Sequence, residues 1–157
     1  PGAIAEVSPA GIALMDAIAR RCVQEGGAAL IIDYGPAASG LGDSFQALKR
    51  HRFHAPLEEL GSADLTAHVD FGALKDTARE AGALVFGPAT QGDFLRALGI
   101  ELRADMLAKK SDLATADLLR RQVHRLIAPE QMGRLFKVIG VAGPDLQVDA
   151  LGGLAGL

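Results

Sequence analysis

The stretch Gly26-Gly-Ala-Ala-Leu-Ile-Ile-Asp-Tyr-Gly35 gives the clearest indication of the fold of this 157-residue chain. Its two glycines end a helical pattern, and residues 28–32 then form an unbroken apolar run of strand length. Such a run is typical of a strand buried on both faces of a parallel sheet. Ligands of open α/β sheets bind beyond the carboxyl ends of the strands, which is where Asp33, Tyr34 and Gly35 lie. We therefore predict a buried strand with a candidate site at its end.

Helical and strand patterns alternate on either side of this stretch. Ser8 and Pro9 signal the start of a helix whose apolar stripe continues to residue 23. A second helical stripe occupies residues 71–81. Short strands are predicted at 3–7, 83–86 and 135–141. This alternation predicts an α/β sheet with helices on its faces.

The connecting segments show weaker patterns. Residues 36–63 are predicted as a loop that contains the basic stretch from Lys49 to His54, and Gly87-Pro88 is expected to turn the chain. Most of residues 92–128 is helical, with Ser111 as a helix cap, and forms an insertion before the last strand.

Composition excludes several classes of protein. Hydrophobic residues make up 49% of the chain, which suits a packed core, and the net charge of −3 gives no support to a nucleic-acid partner. Cys22 is the only cysteine, so an internal disulfide and a cysteine-based zinc cluster are excluded. No apolar run is long enough for a membrane span. The first residue is Pro1 and not Met, which indicates either that the sequence begins inside a longer gene product or that its terminus has been processed.

A second polar group follows the predicted loop. It comprises Asp64, Thr66, His68 and Asp70. In extended backbone the last three would share one face, which permits a general base or a substrate contact. Asp70 also precedes a helical stripe, so a helix cap is its alternative role.

Motifs for other chemistries are weak or absent from the sequence. His51 and His54 have the spacing of one helix face but lack a firm third ligand, so no metal site is predicted. The sequence contains no Gly-x-Gly-x-x-Gly, no phosphate-binding P-loop and no Gly-x-Ser-x-Gly nucleophile elbow. The residues alone thus predict an α/β fold with a candidate site at one edge of its sheet.

Five runs in order carry a resemblance to a known family. They are Gly-Gly-Ala-Ala-Leu-Ile-Ile-Asp-Tyr-Gly (26–35), Ala-Asp-Leu-Thr-Ala-His-Val-Asp-Phe (63–71), Gly-Pro-Ala-Thr-Gln-Gly-Asp-Phe-Leu (87–95), Leu-Gly-Ile (98–100) and Met-Gly-Arg-Leu-Phe-Lys-Val (132–138). Together they resemble the MidA family of class I S-adenosylmethionine-dependent methyltransferases. The resemblance covers residues 6–142.

The resemblance implies the C-terminal half of a doubly wound, Rossmann-like sheet whose last strand is antiparallel. Residues 28–32, 83–86 and 135–141 would be its fifth, sixth and seventh strands, with the helical insertion before the seventh. Residues 1–142 would then be the C-terminal part of the methyltransferase domain, and residues 143–157 a flexible tail.

The resemblance also implies which residues line the substrate side of the cleft, without assigning a catalytic base. Matching positions are Asp33, Tyr34, Gly35, Asp64, Thr66, His68, Asp70, Gln91 and Gly92. The family's glycine-rich cofactor loop and its acidic motifs lie upstream of anything in this sequence. No residue here is therefore expected to bind S-adenosylmethionine, whose site would lie in a missing N-terminal half.

The implied activity is methyl transfer from S-adenosylmethionine to a protein nitrogen, with arginine as the expected acceptor. The alternative is a non-catalytic binding or assembly module of the same fold. Implied partners are a protein substrate, such as a respiratory complex I subunit, and either the missing half or a second chain along an exposed sheet edge. The implied location is the bacterial cytoplasm, or the mitochondrial matrix in a eukaryote.

Overall fold

A computed structural model describes residues 2–146 of the chain. It contains both helices and strands, with a run of four strands before the second helix and a run of four helices before the last strand. The helices are α1 (Pro9–Glu25), α2 (Phe71–Glu80), α3 (Gln91–Ala97), α4 (Ile100–Ala108), α5 (Leu113–Ile127) and α6 (Met132–Leu135). The strands are β1 (Ala28–Tyr34), β2 (Gln46–Lys49), β3 (Arg52–His54), β4 (Asp64–Thr66), β5 (Leu84–Thr90) and β6 (Phe136–Ala142).

The main sheet has the order β1-β6-β5, and β6 is antiparallel to both neighbours. The predicted fifth and sixth strands therefore flank an antiparallel seventh, which confirms the fold implied by the resemblance. The carboxyl ends of β1 and β5 and the start of β6 meet at one edge, where Tyr34 pairs with Phe136 and Thr90 with Lys137.

Helices α1 and α2 cover one face of this sheet. Met15 and Ala19 of α1 pack with Leu74 and Ala78 of α2 against Val141 of β6. Local signals place both helices as predicted, because Ser8 caps α1 and Asp70 caps α2 through side-chain oxygens that accept backbone N–H groups. The apolar stripes behind these caps then form the core.

In β1, the face that points away from α1 and α2 is uncovered, and so is the outer edge of the strand. Leu30 is 51% exposed and Ile32 46% exposed, so the prediction that β1 is buried on both faces is wrong for this chain. Residues 28–32 are all apolar, yet within residues 2–146 no helix covers this face of β1, and β6 is its only neighbouring strand.

An uncovered apolar strand edge favours pairing with another chain. We expect the 157-residue polypeptide, expressed by itself, to elute above its monomeric mass in size-exclusion chromatography. A longer natural protein that contains these residues would serve as the comparison, since its further residues could cover β1. A compact, stable monomer of the polypeptide alone would contradict this expectation.

A second sheet, with the order β3-β2-β4, occupies much of the predicted loop. Lys49 pairs with Arg52 at the end of a tight hairpin, so the prediction of an irregular segment is wrong for residues 46–54. His51 lies in the turn and His54 in β3, not on one helix face. The turn residues Arg50 and His51 have positive φ, which glycine and asparagine adopt more readily.

Three smaller predictions also differ from the structure. Residues 3–7 form no strand. A backbone hydrogen bond from Gly42 N to Ile4 O joins them to the segment before β2. Strand β5 continues through Gly87-Pro88 with a bulge instead of turning there. Asp112, not Ser111, caps α5, because its carboxylate accepts the Thr115 N–H at 2.8 Å.

The segment predicted as a tail begins in the sheet. Gly143 is buried and donates its N–H to Gly27 O at 3.1 Å, which extends the contact of β1 with β6. The rest of the prediction, for residues 147–157, lies outside the described residues. None of the helices within 2–146 is long and apolar enough to cross a membrane.

Candidate functional site

A cleft of about 930 Å³ opens at the edge where β1 ends and β6 begins. Four stretches of chain form its walls: residues 6–8 before α1, 35–36 after β1, 40–45 before β2 and 67–70 before α2. Pro129, Arg134, Leu135 and Lys137 close the side towards β6. This is the position at which open α/β sheets bind their ligands.

Gly35 brings two of these walls into contact. Tyr34 O accepts a hydrogen bond from Val69 N at 3.0 Å, so the segment before α2 runs directly against the end of β1. A Cβ atom on Gly35 would lie 2.0 Å from Val69 O, far inside van der Waals contact. Only glycine permits this approach, which fixes the floor of the cleft.

Hydrogen bonds between Glu6 and Ser44 join the segment before α1 to the segment before β2. Ser44 donates from its backbone N to Glu6 Oε1 at 3.1 Å and from its hydroxyl to Glu6 Oε2 at 2.5 Å. The same hydroxyl accepts the His68 N–H at 2.9 Å. The Ser44 hydroxyl holds the pKa of Glu6 below its usual range, so this exposed carboxylate stays ionised in the cleft.

Asp70 lines the cleft from the start of α2. One carboxylate oxygen accepts the Ala73 N–H at 2.9 Å and the Ser39 hydroxyl at 2.8 Å. The sequence left a helix cap and a site residue as alternatives for Asp70: the cap is confirmed, and the site role stays a prediction for a residue that lines the cleft. With Glu6 and Asp43 it makes this part of the cleft acidic.

Lys137 lies on the basic side of the cleft and binds three backbone carbonyl groups there. Its ammonium group donates to the carbonyl oxygens of Gly35 at 2.9 Å, Arg134 at 2.7 Å and Leu135 at 3.3 Å. Burial, and then the charge of Arg134, lower the pKa of Lys137. Three carbonyl acceptors suit an ammonium with three donors, so this lysine orders the backbone around Gly35.

The sequence-predicted site residues fall into two groups. Gly35, His68 and Asp70 line the cleft. Asp33, Tyr34, Asp64, Thr66, Gln91 and Gly92 do not.

Residues of the second group make internal contacts. Asp33 Oδ1 accepts the Tyr34 N–H at 2.8 Å, and the Tyr34 ring packs edge-on against Phe136. Buried Gln91 donates to Leu126 O at 2.8 Å, and a Cβ on Gly92 would lie 2.7 Å from Ile127 O. Gln91 and Gly92 therefore join α3 to α5.

Sequence reasoning missed Glu6, Asp43, Ser44 and Lys137 as cleft residues. The contact between Glu6 and Ser44 spans 38 positions, which no local pattern reveals. A lysine within an otherwise apolar strand was the available signal for Lys137.

Ser44→Ala should raise the pKa of Glu6 towards its ordinary value, because the hydroxyl that stabilises the carboxylate is lost. A folded-state pKa that is lowered gives stability above the unfolded pKa, and this stability is lost as pH falls through the folded pKa. As pH falls, the variant should therefore lose the contact between Glu6 and the segment before β2 at a higher pH than the wild type. NMR titration of the Glu6 carboxyl measures the shift, and Ser39→Ala, which touches Asp70 instead, is the matched control. An unchanged Glu6 titration in Ser44→Ala would contradict the assignment.

Comparison with known proteins identifies the family. A family model described as "putative S-adenosyl-L-methionine-dependent methyltransferase" matches residues 1–89, more than half of the chain. The chain belongs to this methyltransferase family.

Curated relatives of the family match most of the chain. The mitochondrial protein arginine methyltransferase NDUFAF7 of Xenopus tropicalis is 37% identical over 137 residues, which are 87% of this chain and 31% of that protein. The human protein of the same name is 35% identical over 132 residues, 83% of this chain and 30% of that protein. The chain thus spans about a third of the length of these relatives.

Solved methyltransferase-family structures support the fold as well. A Burkholderia thailandensis protein superimposes with a TM-score of 0.71 and 29% identity, over 87% of this chain and 37% of that one. A second structure from that organism, of a likely methyl transferase bound to S-adenosyl-homocysteine, gives a TM-score of 0.66 and 30% identity over 83% and 35% of the two chains. The resemblance drawn from the sequence is confirmed.

Residues 2–146 do not by themselves fit S-adenosylmethionine. No glycine-rich loop joins a strand to a helix in this part of the chain, and the glycine that ends β1 is used for contact with Val69. We therefore assign no step of the transfer to a cofactor contact here.

Proposed function

We propose that this chain forms the methyl-acceptor side of an S-adenosylmethionine-dependent protein arginine methyltransferase, and that the rest of the complete protein binds the methyl donor. Family membership and the names of the curated relatives support the reaction class. Within the chain, the proposal rests mainly on one observation: Glu6, Asp43 and Asp70 place carboxylates around one cleft at the ligand-binding edge of the sheet.

The acidic part of the cleft, formed by Glu6, Asp43 and Asp70, suits an arginine side chain. The guanidinium group is planar and presents donors that match carboxylate oxygens in paired hydrogen bonds. One of its nitrogens must lose a proton as it is methylated, so carboxylates that orient the group and compensate its charge lower the barrier. Glu6 is the best placed for this role, because Ser44 keeps it ionised and fixed. Gly35, His68 and Asp70 complete the proposed acceptor site.

Glu6→Gln in the complete protein tests the role of this carboxylate. Loss of a charged hydrogen-bond partner costs about 1.5–3 kcal/mol, so kcat/KM for an arginine peptide should fall by about 10- to 100-fold. Glu25→Gln is the matched control, because Glu25 is exposed at the far end of α1 and pairs with Arg21. Methyl transfer is followed with isotopically labelled S-adenosylmethionine. Equal kcat/KM in Glu6→Gln and wild type would remove Glu6 from the mechanism.

The same assay separates the two classes of function. A non-catalytic binding or assembly module would transfer no label to any arginine peptide, even in the wild-type protein. Transfer by the wild type that depends on Glu6 supports the enzyme.

Partner and location follow the relatives. We propose a protein substrate, with a respiratory complex I subunit as the first to test. The named relatives are mitochondrial, which favours the mitochondrial matrix for a eukaryotic source. For a bacterial source we propose the cytoplasm.

A further inference from the structure

The hairpin of β2 and β3 carries an uncompensated basic tip. The run Lys49-Arg50-His51-Arg52-Phe53-His54 spans its end, in a chain whose net charge is −3. Lys49 is already paired with Glu59, whose pKa it lowers. Arg50 and Arg52 are exposed and have no carboxylate within 4.0 Å anywhere in residues 2–146. Positive charge is therefore concentrated locally and remains available.

The backbone of the tip is held in an unusual conformation. Arg50 has φ 51° and His51 has φ 63°; apart from glycine, this region is enriched in asparagine, aspartate and histidine, so Arg50 is the unusual residue of the two. Two-residue hairpins with this geometry usually contain asparagine and glycine. Cationic side chains in strained positions are consistent with a role in binding.

The hairpin also leads away from the cleft. Phe45 lines the cleft, and β2 begins at the next residue. With a rise of about 3.3 Å per residue, Lys49, the last residue of β2, lies about 13 Å along the strand from Phe45, and Arg50 follows it in the turn. An extended peptide needs about five residues to reach from Phe45 to this turn. Phe53, which is 80% exposed, offers an apolar contact beside the cationic groups.

We propose that the β2–β3 hairpin binds an acidic segment of the protein substrate, about five residues from the arginine that enters the cleft. This inference rests on the proposed function and adds the class of substrate sequence to it. Charge complementarity with Arg50 and Arg52 carries the binding, and continuity with the cleft sets the spacing.

The test compares two short, fluorescein-labelled peptides with the complete protein. Each contains one arginine; one carries a run of glutamates about five residues away, and the other carries glutamines there. Arg50→Asn with Arg52→Gln removes the charges, and asparagine also suits positive φ, so the hairpin should be retained. Arg103→Gln with Arg120→Gln is the matched control, because both arginines are exposed on α4 and α5.

Fluorescence anisotropy at low salt should show the glutamate peptide binding about five- to tenfold more tightly than the glutamine peptide, as expected for a few exposed ion pairs. High salt and the hairpin variant should abolish this difference, and the control variant should keep it. A preference that survives in the hairpin variant, or no preference in the wild type, would overturn the inference. Methylation of both peptides at saturating concentration reports separately on the proposed function, since the peptides share the same acceptor arginine.

Discussion

Gly35→Ala is expected to destabilise the protein by about 3 kcal/mol, the upper range for overpacking a tightly packed position. The new methyl group would lie 2.0 Å from Val69 O and 2.9 Å from Val69 N. Neither atom can move freely, because Val69 N donates to Tyr34 O and Gly35 N donates to Leu135 O. Relief of the clash must therefore separate the end of β1 from the segment that carries His68 and Asp70.

The loss is measured by urea unfolding of the complete protein, with the arginine methylation assay alongside. Both stability and kcat/KM should fall, because the same separation opens the floor of the cleft. Gly40→Ala is the matched control: Gly40 lines the same cleft, but a Cβ there meets nothing within 4 Å. Equal stability of the two variants would show that the contact with Val69 is not a constraint.

Phe71→Ala is expected to cost about 4 kcal/mol, as for other buried phenylalanines truncated to alanine. Phe71 is fully buried and begins α2 directly after its cap, Asp70. Truncation leaves a cavity at the start of this helix. Because the helix start positions Asp70 at the cleft, the binding of an arginine peptide should weaken as well.

Thermal unfolding of the complete protein measures this effect, with Phe53→Ala as the control. Phe53 is 80% exposed, so the same truncation there should change the stability by no more than about 0.5 kcal/mol. A small and equal shift for both variants would mean that Phe71 is not part of the core described here.

Local signals made α1 and α2 predictable from the sequence. Each begins with a capping side chain, Ser8 or Asp70, and each continues with an apolar stripe that packs on β6. The antiparallel direction of the last strand came from the family resemblance, and the order of the main sheet was not predicted. Periodicity does not report which strands are neighbours.

The second sheet and the acidic part of the cleft depend on distant contacts. Arg50 and His51 form a hairpin turn without the glycine or asparagine that signals one, so residues 46–54 read as a loop. Glu6 becomes a site residue only because Ser44 folds back onto it. Gln91 differs from Glu6: the family resemblance implied that it lines the cleft, whereas in the structure its buried amide donates to a carbonyl oxygen of α5.

We propose that this chain provides the acceptor side of the cleft, and that the methyl donor binds to further residues of a longer protein that contains it. Isothermal titration calorimetry with S-adenosylmethionine tests it most directly, on the 157-residue polypeptide and on the complete protein, after circular dichroism has shown both to be folded. We predict one-to-one binding to the complete protein and no measurable binding to the polypeptide. Equally tight one-to-one binding to the polypeptide would contradict the account.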